Sequence, residues 1–122
     1  MASRLANQDS PHAFDIDGTR ARLCATGAGG REIVHDSTRL QICVYTLVAP
    51  EPDRERTNAA DELYVVLEGR GLLDVEGTQL ELREGHAVFI PAGARHRFSA
   101  YEHLSVLAIL AGRYDAGVDV TA

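Results

Sequence analysis

Short apolar runs alternate with turn signals along almost the whole chain. The runs are "HAFDI", "ARLCA", "REIVH", "LQICVYTLV", "ELYVVLEG", "GLLDVEG", "TQLELREG", "HAVFIPAG", "HRFSA" and "LSVLAILA"; between them fall "DIDGT", "TGAGG", "HDST", "EGRG", "VEGT", "REGH", "PAGA" and "AYEH". Many short strands of this kind predict an all-β domain, an antiparallel sandwich or barrel. No segment keeps an apolar period of 3.6 over three turns, so long helices are not expected; "NAADEL" has room for a single turn. Gly77 suits the positive φ of a tight hairpin between Leu72–Val75 and Gln79–Leu82. "TGAGGRE" is glycine-rich but lacks a following Gly-Lys-Ser/Thr, so it reads as a turn rather than a phosphate cradle. Residues 1–12 are polar and unpatterned and read as a flexible N-terminal arm; residues 13–122 read as one domain.

Composition narrows the function classes. A chain of 122 residues with 45% apolar and 25% charged residues can bury a single core. The net charge of −6 speaks against nucleic-acid and anionic-membrane partners, both of which want a basic patch. All 12 basic residues are arginines, and they are scattered. The first residues lack the apolar stretch of an export signal, and no run approaches the ~20 residues of a membrane span. A cytoplasmic protein is therefore expected, with Cys24 and Cys43 as reduced thiols rather than a disulfide.

Two segments carry a family likeness. "GHAVFIPAGARH", Gly85 to His96, resembles the second motif of the cupins, G-x5-P-x-G-x2-H, at every fixed position. "ELYVVLEG", Glu62 to Gly69, resembles the tail of the first motif, E-x6-G. The likeness covers residues 40–111. It implies a double-stranded β-helix: two antiparallel sheets rolled into a small barrel around a central pocket. Pro91 would end a strand where no ladder donor is needed, and Gly93 would permit the turn that returns His96 inward. Period-two alternation then puts Glu62, Tyr64 and Val66 on one face, and His96 and Phe98 on another.

The full first motif, H-x-H-x3-E, would add two histidines; together with Glu62 and His96 they would suit a divalent transition metal such as Fe, Mn, Ni or Zn. Here those positions are Arg56 and Asn58. Arg cannot ligate a cation, and Asn58 offers only a weak neutral oxygen, so Asn58, Glu62 and His96 would make a poor metal site. The metal-bound and metal-free pockets both stay open. Glu51, Asp53 and Glu55 lie nearby, but a charge run beside Pro50 and Pro52 reads first as a solvated loop. His12, His35, His86 and His103 read as exposed arm or turn residues.

The resemblance implies action on a small organic molecule. With metal, that means oxygenase, isomerase or lyase chemistry; without it, Glu62 and His96 would act as general acid and base. Tyr64, Phe98, Tyr45 and Gln41 are candidate substrate-binding residues, although alternation alone does not choose between Gln41, Cys43 and Tyr45 and the opposite face, Ile42, Val44 and Thr46. The alternative is a non-catalytic binding or sensor barrel. The likeness also implies a homodimer, with "LSVLAILA" or the arm as its interface.

Overall fold

The computed structural model describes residues 9–112, and these form six strands and one helix. The strands are β1 (Gly30–Asp36), β2 (Leu40–Val48), β3 (Glu62–Val75), β4 (Thr78–Arg83), β5 (Ala87–Ile90) and β6 (His96–Ala111). Every pairing among them is antiparallel, in the order β1-β2-β6-β3-β4, with β5 also on β3. The all-β barrel expected from the strand pattern is what the chain forms.

Two long strands hold its two layers together. The first half of β3 pairs with β5 and with the end of β6, whereas its second half pairs with β4 and the start of β6. The register between β3 and β6 shifts at Val66/Glu68, Gly69/Gly71 and Leu72/Leu73. Extra residues at such shifts bend and twist a strand, so one hydrogen-bonded network wraps round both halves. Gly69 sits at a bend with φ +83, where a Cβ would come within 2.1 Å of the His103 carbonyl oxygen. Only glycine fits there. The β3–β4 hairpin closes through Glu76 and Gly77, both at positive φ, the two-residue turn whose twist matches its strands.

Three sequence expectations change. "AYEH" is not a turn, because β6 runs through it unbroken from His96 to Ala111. β6 also lies between β2 and β3, so "LSVLAILA" has no free edge to offer a second copy. "NAADEL" forms bends, not a helical turn, whereas the unexpected helix α1 covers Ile16–Ala25. The Asp15 side chain caps it, accepting from Gly18 N at 2.8 Å. Its apolar residues form no continuous stripe, which is why periodicity missed it. Part of the arm also docks: Asp9 accepts from Thr38 N and Oγ1, and the His12 ring stacks on His35. Residues 1–8 of the arm lie outside the described residues, as do 113–122.

The core fills the barrel with Leu47, Tyr64, Val66, Leu73, Leu82, Ile90, Phe98, Leu104 and Val106. Helix α1 packs on the outside, against β1 and β2. That choice settles β2: Gln41, Cys43 and Tyr45 line the interior cavity, while Val44 and Thr46 are buried on the other face.

Candidate functional site

The site sits where the 49–61 loop is strapped across the barrel. Arg56 and His96 exchange a pair of backbone hydrogen bonds, each 3.0 Å, and Gly93 N donates to the Asn58 carbonyl at 2.8 Å. Ala92 N donates to the Asp61 side chain at 2.9 Å. The Pro91–Gly93 turn thus fixes the loop as well as returning the chain to His96, and the positive φ of Gly93 makes that turn possible.

The loop delivers Arg56 and Asn58 into a narrow cavity beside Glu62. Its enclosed volume is only about 30 Å³, opening to about 410 Å³ once the solvent-filled mouth is included, and its polar lining comes from Arg31, Gln41, Tyr45, Arg56, Asn58 and Glu62. Tyr64 lines it too. Phe98 is a neighbour rather than a wall: it is buried behind the tyrosines, 5.1 Å from the Tyr64 ring and 6.5 Å from Tyr45.

Glu62 is buried and meets two groups at the same oxygen. Asn58 Nδ2 donates to Oε1 at 2.7 Å, and His96 Nε2 lies 3.2 Å from it. The amide end is assigned by chemistry, since the Asn58 oxygen would repel a carboxylate. His96 Nδ1 is 3.0 Å from the Ala94 carbonyl, which can only accept, so Nδ1 carries a proton. Nε2 then faces Glu62 but off the line of a hydrogen bond, and it is buried without an aligned partner.

Arg56 does not point at that dyad as a spare cation. Its Nη2 lies 2.6 Å from Asp53 Oδ1 and 3.0 Å from the Tyr45 hydroxyl, and its guanidinium covers the Tyr45 ring. Tyr45 also donates to Asp53 Oδ1, while Asp53 Oδ2 accepts from Phe98 N at 2.9 Å. The Asp53 side chain is 0% exposed. The solvated-loop reading of "EPDRE" is therefore corrected at Asp53, which anchors the loop to the barrel wall. Burial draws the Arg56 pKa down, but Tyr64, Asp53 and Tyr45 outweigh it and hold the group above its ordinary value. Tyr64 is raised first by burial and then by Glu62; Tyr45 is raised by burial and by Asp53.

These residues do not fit a divalent cation. Only Glu62 and His96 are good ligands, Asn58 already bonds the carboxylate through its N–H, and an arginine stands at the other ligand position.

A different group has metal-ligand spacing. Cys24, Glu68 and His103 bring donor atoms within 4.8 Å of one another among the described residues. His103, expected in a turn, stands on β6, 3.3 Å from Cys24 Sγ. No motif signals this cluster, because its members lie 44 and 79 positions from Cys24 along the chain. His35 likewise belongs to β1, with Nδ1 3.1 Å from His12 Nε2.

The buried Cys43 thiol makes a pH prediction. Burial pushes it from 9.0 up to about 11, opposed by Arg31, assisted by Glu62 and opposed again by Arg56. A folded value above the unfolded one favours the native state below pH 9, and that contribution disappears as pH rises through about 11. Two units correspond to about 2–3 kcal/mol at most. Urea midpoints measured between neutral and strongly alkaline pH should fall, and Cys43→Ala should flatten the first part of the decline. Tyr45 and Tyr64 account for the later part. An unchanged slope in Cys43→Ala would refute the assignment.

The fold and the two motif segments define a class, and comparison with known proteins gives it a name. The chain belongs to the cupin family, whose cupin domain matches residues 45–110, more than half of its length. An uncharacterised protein of Streptomyces coelicolor is 29% identical over 80% of this chain and 92% of its own. Another, from Aquifex aeolicus, is 45% identical over 45% of this chain and 46% of its own. A solved Thermus thermophilus protein matches with a TM-score of 0.64 and 26% identity, over 71% of this chain and 86% of that one. Salicylate 1,2-dioxygenase of Pseudoaminobacter salicylatoxidans, solved with gentisate, has a TM-score of 0.67 at 13% identity. The alignment covers 78% of this chain but only 31% of the dioxygenase, so that likeness speaks for the fold alone. Among the described residues no helix is long and apolar enough to cross a membrane.

Proposed function

We propose that the barrel binds a small organic anion and transfers a proton to or from it without a metal. One observation carries the reading: a buried carboxylate, Glu62, lines a cavity together with Asn58, Arg31 and Arg56, and its Oε1 also meets His96, which lies enclosed behind that lining. Both contacts, from Asn58 and His96, fall on Oε1. Arg31 supplies positive charge for an anionic group, and Gln41 and Tyr45 supply further polar contacts. Glu62 takes a proton from a C–H or O–H of the ligand, and His96 Nε2 can relay it, because Nδ1 stays bonded to the Ala94 carbonyl. Isomerisation, epimerisation and elimination of a hydroxy or carbonyl acid all need such a step.

The test is a thermal-shift screen of small carboxylic acids against their amides, followed by proton magnetic resonance of each bound ligand in deuterated buffer. Hits should be acids, and their exchangeable C–H positions should take up deuterium in the presence of chelator. Glu62→Gln should stop exchange but retain binding, whereas Arg31→Gln should weaken binding. Binding without any exchange would instead support the non-catalytic sensor; exchange lost on adding chelator would overturn the metal-free mechanism.

A further inference from the structure

Outside the barrel, three different donors meet where α1 crosses the sheet. Cys24, in the last turn of α1, places Sγ 3.3 Å from His103 Nε2 on β6 and 3.8 Å from Glu68 Oε1 on β3. His103 Nδ1 is 4.0 Å from the same carboxylate oxygen. Tetrahedral sites with bonds of ~2.0–2.3 Å hold their donors roughly 3.3–3.7 Å apart; one donor atom from each of the three residues lies within 4.8 Å of the others, so the side chains draw together to close on one ion, with a single His103 nitrogen as ligand.

The fold explains the meeting. The register shift between Val66 and Glu68 inserts Leu67, so Val66 faces the core whereas Glu68 comes beside Ser105. Ser105 and Thr46 are buried, and their hydroxyls lie 2.8 Å apart. Ser105 Oγ is also 3.8 Å from Cys24 Sγ, so this polar floor lies beneath the thiol. Cys24, Glu68 and His103 are each only partly buried, so an ion can reach them from solvent.

Charge must be accounted for, because Arg20 Nη1 is 2.9 Å from Glu68 Oε1 and 4.0 Å from Cys24 Sγ. Asp17 already balances that arginine, at 2.8 Å. A divalent ion on one thiolate and one carboxylate is then neutral overall, and Arg20 becomes the outer partner that orients the ligating carboxylate.

We propose that Cys24, Glu68 and His103 form a zinc-type site on the outer wall of the barrel, separate from the interior cavity, that ties α1 to β3 and β6. Sulfur, imidazole and carboxylate together favour a borderline-soft divalent ion, and three protein ligands leave a fourth position for water. Binding releases the thiol proton to solvent, so affinity rises with pH.

The full chain, without an affinity tag, is stripped with chelator and titrated with Co(II) and then Zn(II). One equivalent of Co(II) should give a thiolate-to-cobalt charge-transfer band that Zn(II) abolishes, and Zn(II) should raise the unfolding temperature. Cys24→Ser should lose the band, and His103→Gln should weaken Zn(II) binding. Because losing even an outer partner costs a metal site roughly 10–100-fold, each ligand loss should cost about 100-fold or more. Cys43→Ala should leave band and affinity unchanged. Absence of the band in the wild-type chain, or its persistence in Cys24→Ser, would overturn the proposal.

Discussion

Arg56→Met should cost the barrel about 3–5 kcal/mol, because it strands a buried carboxylate. Asp53 is fully enclosed and depends on three donors, the Arg56 guanidinium, the Tyr45 hydroxyl and Phe98 N. Only the first of these carries charge. Removing it leaves an anion in a low-dielectric wall with two neutral partners. Asp53→Asn should be milder, since an amide oxygen still accepts from Phe98 N while the arginine loses its counter-charge at a partly exposed position. The double variant Arg56→Met/Asp53→Asn should therefore be more stable than the sum of the two losses predicts, by about 1–3 kcal/mol. Urea unfolding of the four proteins measures this coupling. Arg56→Met within about 1 kcal/mol of the wild type would show that Asp53 is not charged or not truly enclosed.

The loop anchored by Asp53 also shows what the sequence could and could not disclose. Alternation and turn residues revealed the strands, because a half-buried strand must alternate and a tight hairpin must place residues such as Gly77 at positive φ. The family motifs located Glu62 and His96, which open β3 and β6 at opposite ends of that strand pair and meet across the barrel. Nothing local marked Asp53 as buried: "EPDRE" has the composition of a solvated loop, and its partners Tyr45 and Phe98 come from other strands. Helix α1 was hidden for a related reason. It is held by the Asp15 cap and by Arg20 contacts to Asp17 and Glu68, not by an apolar stripe. The Cys24–Glu68–His103 cluster depends on a bulge in β3, and a one-residue shift in register has no signature in the sequence.

Asn58→His should raise the metal affinity of the interior cavity well above that of the native residues. Position 58 already reaches the buried carboxylate: Asn58 Nδ2 is 2.7 Å from Glu62 Oε1, and His96 Nε2 is 3.2 Å from the same atom. An imidazole there exchanges an N–H donor for a nitrogen ligand and completes a set of two histidines and one carboxylate. Arg56 remains nearby, but Asp53 holds its charge at 2.6 Å, so the repulsion it adds is blunted. Arg56→His should gain less, because it leaves Asp53 without its guanidinium and keeps the Asn58 N–H on Glu62. The comparison belongs on a Cys24→Ser background, where the outer cluster cannot contribute. Calorimetric titration with Ni(II), Co(II) or Zn(II) should then show binding tightened about 100-fold or more by Asn58→His, equivalent to about 2.7 kcal/mol. Glu62→Gln added to that variant should abolish most of the gain. Equal, tight binding by the Cys24→Ser parent and the Asn58→His variant would mean that Arg56 and Asn58 do not keep metal out of the barrel.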